Sequence, residues 1–279
     1  MGNIFRGLFG NRKSDAPLRD VAALVAALTS PAIQVVVNDS PSLSHFGGSP
    51  NLPSSIEWPE KDGVKLEFLA RLSLGEVQQA LPIPWLPQSG ALLFFYDMKK
   101  QPWGFDPKDR GGFAVMLVPD LPAPVQHVDG ENEAFSIAHR NVGSRRVDVI
   151  PSWENEHIRA MKLTDPEWIE LEKLSTAAFE GKPKHQISGV PSPLQGDHMD
   201  LECQLASNGV YCGDTKGYKS PRALELRDGR ANWRLLFQMD SDDALDVMWG
   251  DGGMLYFWVE EQEARKGNFR NTWLILQCH

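Results

Sequence analysis

The chain has 279 residues, 42% of them hydrophobic and 23% charged, with 28 basic side chains against 37 acidic ones and a net charge of −9. These proportions describe a packed globular chain and exclude a disordered one. The acidic balance disfavours a phosphate backbone, so no nucleic-acid partner is expected. Three irregularly spaced cysteines, Cys203, Cys212 and Cys278, argue against a disulfide framework and for a reducing, cytoplasmic setting.

Residues 1–13, MGNIFRGLFGNRK, read as a segment of their own. Ile4, Phe5, Leu8 and Phe9 share one helical face beside Arg6, Arg12 and Lys13, the pattern of a short interfacial anchor. A self-docked or frayed terminus is the favoured reading, and peripheral membrane contact is the alternative. Arg6 breaks the myristoylation pattern after Gly2, and no apolar run approaches a bilayer span.

Residues 14–279 read as a single α+β domain. A first helix is expected over SDAPLRDVAALVAALTSP, capped by Ser14 or Asp15 with Pro17 in its first turn. The run AIQVVV then reads as a strand. Next comes SHFGGSPNLPSSIEWP, Ser44 to Pro59, rich in Gly and Pro. A strand, KLEFLARLSL, runs into a short helix for which Ser73 and Glu76 have capping-box spacing. GALLFFYD, GFAVMLVP and SRRVDVI are further strands. A second clear helix spans LTDPEWIELEKLSTAAFEG, with Thr164 and Glu167 as its capping box and Pro166 in the first turn. Two more helices are expected in HMDLECQLASNG and SPRALELRDG. Strands WRLLFQMDS, GGMLYFWV and TWLILQC close the chain.

Three landmarks occur twice in the same order. They are HFGGSPNLP from His45 and HQISGVPSPLQ from His185; LEFLARLSL and RLLFQMDSD; SGALLFFYD and DGGMLYFWV. The repetition suggests an internal duplication, with mainly antiparallel sheets, a few flanking helices, and related halves over about 32–150 and 182–279. Ser188 replaces the first glycine of the Gly47-Gly48 pair in the second copy.

These segments, with HQISGVP, QMDSDD, MWGDGGMLYF and NFRNTWLILQC, resemble the YwqG-like family, a bacterial family of unknown function. The resemblance runs from about Ser44 to Cys278. It implies an intracellular α+β protein and no particular reaction.

Candidate chemistry concentrates in two places. The Gly47-Gly48 loop beside His45 is a candidate to offer backbone N–H groups to an anion, although following prolines and the lack of a nearby Lys make a structural corner the favoured reading. Asp240, Asp242, Asp243, Asp246 and Asp251 form the densest acidic group, and oxygen-rich groups suit hard cations. Their spacing excludes an EF-hand, and Asp240, Asp242 and Asp243 stand as weak metal candidates. Trp249 between flexible backbone and Asp251 has the makings of a recognition surface. The ligand-binding candidates are therefore His45, Gly47, Gly48, Gln238, Asp240, Asp242, Trp249 and Asp251. Cys203 or Cys212 with His185 is a formal nucleophile pair, but buried inert thiols are the commoner case. The spacing of a zinc site is absent, as are phosphate-loop, dinucleotide and nucleophile-elbow motifs, so no cofactor or catalytic residue is assigned. The favoured reading is a non-enzymatic ligand- or protein-binding module, with an immunity-type protein partner as one version. A metal-assisted enzyme centred on Asp240–Gly253 is the alternative.

Overall fold

The structure is a computed structural model that describes residues 18–52, 56–120 and 137–279. Twelve strands and eight α-helices follow one another along these residues. The first half carries α1 (Val21–Val25), β1 (Ser30–Val37), β2 (His45–Phe46), β3 (Glu60–Lys61), β4 (Val64–Lys65), β5 (Glu67–Ser73), α2 (Leu74–Ala80), β6 (Ala91–Tyr96), β7 (Phe113–Val118) and β8 (Arg140–Val149). Two helices follow, α3 (Glu156–Ala160) and α4 (Asp165–Ala178). The rest comprises β9 (Gln186–Ile187), α5 (Met199–Ser207), α6 (Thr215–Lys219), α7 (Pro221–Leu226), β10 (Trp233–Asp240), β11 (Met254–Glu260), α8 (Glu261–Arg265) and β12 (Trp273–Gln277).

Ten strands form one sheet in the order β12-β11-β10-β9-β1-β8-β2-β5-β6-β7, and β3 and β4 form a separate hairpin. Every pairing is antiparallel. The architecture is α+β. At the centre β1 and β8 pair over eight residues, from Ser30↔Val149 to Val37↔Val142. On one side lie short β9 and the meander β10-β11-β12. On the other lie short β2 and the meander β5-β6-β7. Each wing carries an irregularity at a corresponding place, between Phe68 and Ala70 in β5 and between Leu235 and Phe237 in β10. A β-bulge bends its strand and increases twist, and both wings curl to the same side.

The curl buries one face of each wing against the other and makes the sheet nearly barrel-shaped. Phe94 of β6 packs its ring 4.9 Å from Phe237 of β10 and 5.1 Å from Phe257 of β11. Phe113 of β7 meets Trp273 of β12 edge-on at 5.2 Å. All are buried. Burial of each such ring is worth about 2–3 kcal/mol. Helix α5 adds Met199, Cys203 and Ala206 to the same core.

The two edge strands, β7 and β12, do not pair with each other. The loop after β6 fills the seam. Trp103 O accepts Leu276 N at 3.0 Å, Gly104 O accepts Trp273 Nε1 at 2.8 Å, and Phe105 O accepts Cys212 N at 2.8 Å. Gly104 has φ +83°, and a Cβ there would run into the Leu274 carbonyl oxygen.

Outside the centre of the sheet, α1 and α4 pack through Val21, Val25 and Leu171. The expected capping box of α4 forms, with Thr164 N donating to Glu167 at 2.8 Å. Glu167 also takes Nε and Nη2 of Arg19 at 2.8 and 2.7 Å, and Arg19 holds its carboxyl well below the usual range. The first helix is shorter than expected. Asp20 caps it by accepting Ala23 N, and the proposed caps Ser14, Asp15 and Pro17 lie outside the described residues, as does the 1–13 segment. The second expected capping box does not form. Ser73 Oγ donates to Asp120 at 3.2 Å, and Glu76 accepts from Ser42, Leu43 N and Ser44. Tertiary partners outcompete the local pairing that the spacing suggests.

The Gly104→Ala variant is expected to lose about 2 kcal/mol or more. A lower urea midpoint at unchanged slope is the check.

Candidate functional site

The two Gly-Pro loops begin at corresponding positions of the sheet. His45 of β2 lies across from Arg71 of β5 and Asn141 of β8. Gln186 of β9 lies across from Gln238 of β10 and Gln34 of β1. His45 thus corresponds to Gln186, so the two loop strings, set side by side from their histidines, are one residue out of step. After each short strand two consecutive residues take left-handed backbone: Gly47 and Gly48 (φ +55° and +66°), Ser188 and Gly189 (φ +61° and +76°). Glycine is free there, whereas Ser188 is strained. A Cβ on Gly48 would lie 2.8 Å from His139 Cβ, so the glycine admits that ring.

The residue before each short strand does one job with different chemistry. Ser44 Oγ accepts Ser73 N at 2.9 Å and donates to Glu76 at 2.5 Å. His185 Nδ1 accepts Asp240 N at 3.1 Å, which leaves Nε2–H to donate to Asp242 at 3.2 Å. Both ring nitrogens of buried His185 are therefore engaged.

On the outer face of the second wing, residues 188–196 lie against a row of amides. Gln238 Oε1 accepts Ser192 N at 2.9 Å while its Nε2 donates to Lys184 O at 2.8 Å. Gln277 Oε1 accepts Leu194 N and Gln195 N, and Tyr256 OH donates to Ser192 O. Gln186 Nε2 donates to Ser188 O and Val190 O. These side chains hold a loop that has no ladder of its own.

The outer face of the first wing is built differently. His45 is 4% exposed, its Nδ1–H donates to Gly47 O at 2.8 Å, and its ring packs at a tilt against His139 at 4.6 Å. Burial, with His139 and Arg71 nearby, lowers its pKa to about 4, so it is neutral at ordinary pH. Arg71 stands where the second wing has Gln238. Its side chain is 5% exposed. Of a guanidinium's five N–H donors, one has an acceptor among the described residues, Asp120 Oδ1 at 3.3 Å. Burial lowers the Arg71 pKa while Asp120 and Glu76 raise it, and arginine stays charged under such shifts. Asn141 continues the row and meets His139 Nε2 at 3.2 Å. Beside this polar row lies a buried apolar cluster of Phe68, Leu93 and Phe95, covered by partly buried Leu52, Ile56 and Trp58, the last edge-on to Phe95 and bonded to Leu66 O.

The structure brings His45, Gly47 and Gly48 together with each other. Gln238, Asp240 and Asp242 gather around His185 on the other side of the β1–β8 centre. The Asp240 carboxylate accepts Lys184 N, and Asp242 accepts from His185 and caps Ala244. Trp249 is fully buried, donates to Asp240 O and packs edge-on against Tyr96. Asp243 and Asp251 are exposed. Among the described residues no group of three or more His, Cys, Asp or Glu side chains is placed to hold a metal ion. Arg71, His139, Asn141 and Asp120 escape the sequence reading. The available signal is Arg71 itself, a lone cation in the apolar run Phe68–Leu72 of β5.

The three thiols are buried and unpaired. Burial pushes Cys212 up to about 12 and Cys203 well above the ordinary value, the opposite of an activated nucleophile. Next to them burial raises Glu202 to about 7. Tyr218 OH donates to its Oε1 at 3.1 Å, and Oε2 has no partner.

This is an α+β chain whose curled antiparallel sheet presents one polar row on each wing. It belongs to the family described as a domain of unknown function, DUF1963, whose match covers residues 44–278. No curated protein matches the chain. Among the described residues no helix is long and apolar enough to cross a membrane.

Two variants separate structural from functional polar groups. Gln238→Ala strands the Ser192 N–H and Lys184 carbonyl and is expected to cost about 2–3 kcal/mol in chemical denaturation. Glu202 titrates in the opposite sense to a salt-bridged carboxylate. Its folded pKa lies above the ordinary 4.5, so the fold loses stability as pH rises from there through about 7. Glu202→Gln should raise the melting temperature at pH 8 and leave it unchanged near pH 4, as read by thermal scans across pH.

Proposed function

We propose that the chain is a non-enzymatic, cytoplasmic binding protein of the YwqG-like kind, a single domain of two duplicated halves, of which the first retains a recognition site. What supports duplication is the matching order of the wings, their bulges at corresponding places, and the paired left-handed corners after β2 and β9. The three buried, unpaired thiols favour a reducing compartment.

One observation carries the binding reading. At corresponding positions Gln238 has both ends of its amide engaged by its own chain, whereas Arg71 has most of its donors uncommitted among the described residues. A buried cation with unused donors is costly unless something meets it. The second half closes its polar row with its own loop. The first half keeps a single buried cation at that position, beside the buried apolar cluster of Phe68, Leu93 and Phe95.

The test is native mass spectrometry of protein purified gently from the cells that make it. The wild type should carry a retained small molecule that Arg71→Gln lacks. The variant should still fold, because glutamine is the residue at the corresponding position of the second wing. An identical mass spectrum for both proteins would sink the reading.

A further inference from the structure

The central strand β1 has one side that its neighbours leave unfinished. Val35 N donates to His185 O at 2.9 Å, and Asn38 N donates to Asn141 O at 3.0 Å. Backbone groups of odd-numbered residues therefore face β9, and those of even-numbered residues face β8. Strand β9 pairs with β1 at Ile33↔Ile187 and Gln34↔Gln186. Carried on in that register, Val37 stands opposite Pro183. Proline has no N–H to give, and among the described residues no bond joins Val37 to that side. The Val37 N–H and C=O thus face a gap where a ladder would continue.

The gap is a cavity of about 180 Å³, walled by Val37, Pro183, His185, Asp242 and Ala244, with half-exposed Lys182 beside them. Its polar side chains are already engaged. His185 is 2% exposed with both ring nitrogens taken, and the two oxygens of Asp242 accept His185 Nε2–H and Ala244 N. Lys182 lies 3.8 Å from Glu180. What is left is one backbone donor and one backbone acceptor side by side, the complement of a peptide group in an extended chain. The size agrees. Small-molecule sites run to roughly 300–1,000 Å³, so this space suits a short stretch of chain better than a cofactor.

We propose that this notch receives an extended peptide segment of a partner protein. The segment adds one rung to β1 by pairing its backbone with Val37, and it seats a small apolar side chain against Pro183 and Ala244. The proposal does not depend on the reading of Arg71.

Backbone amide NMR of the labelled full chain, titrated with acetyl-Thr-Val-Thr-amide, tests it. In the free protein the Val37 amide should exchange readily with solvent. The peptide should shift that amide saturably and slow its exchange about ten-fold or more. The same peptide methylated on its backbone nitrogens has no donor for Val37 O and should bind about ten-fold more weakly or worse. Ala244→Trp, at an exposed position, should fill the cavity and abolish the shift. A Val37 amide already protected in the free chain shows that the edge is taken from within and overturns the proposal. So does the lack of a saturable shift at Val37. A shift that methylation leaves unchanged overturns strand addition, and one that Ala244→Trp leaves unchanged removes the cavity from the site. The peptide arms need no variant, so a poorly folding substitution does not blunt the test.

Discussion

Everything in this fold depends on two wings of one sheet burying their inner faces on each other. Phe94 of one wing sits against Phe237 and Phe257 of the other. Neither wing can bury that face alone, because a three-stranded meander needs a cover. The bulges in β5 and β10 supply curvature, and the long β1–β8 pairing supplies the hinge about which the wings close. Polar chemistry is thereby driven to the outer faces, where the Gly-Pro loops lie.

The strands were largely legible, and for a simple reason. GALLFFYD, WRLLFQMDS, GGMLYFWV and TWLILQC are short apolar and aromatic runs with turn residues at their ends, and burial on both sides leaves few other ways to place them. Strands β2 and β9 were not legible, since two residues carry no periodicity. Helices α3 and α6 are five residues long and equally silent. The capping boxes teach a sharper lesson. Thr164 and Glu167 form theirs, and Ser73 and Glu76, with the same spacing, do not. Spacing states what is locally available, while Asp120 and Ser44 arrive from elsewhere in the chain and win.

The candidate site was half legible. His45, Gly47 and Gly48 stood out because their residue types are unusual where they occur. The acidic run stood out for the same reason, yet Asp240 and Asp242 prove to be fasteners for residues 184–185 and the turn after β10. Arg71 was hidden because its partners are its cross-strand neighbours, and strand register is a long-range property. The contrast with Gln238 exists only once the two wings are laid on one frame. The same place in the two wings then holds an amide engaged at both ends and an under-satisfied cation.

The seam filled by Trp103, Gly104 and Phe105 has a consequence for the chain among its own copies. An open sheet ends in two strands whose unpaired backbone groups can template another molecule, which is a route to aggregation. Here β12 gives an outward hydrogen bond to Trp103 O, so part of one edge is already taken. A barrel would remove both edges by closing completely. This sheet blunts an edge with a single loop, so side chains and that loop, with no strand-to-strand ladder, hold β7 and β12 together.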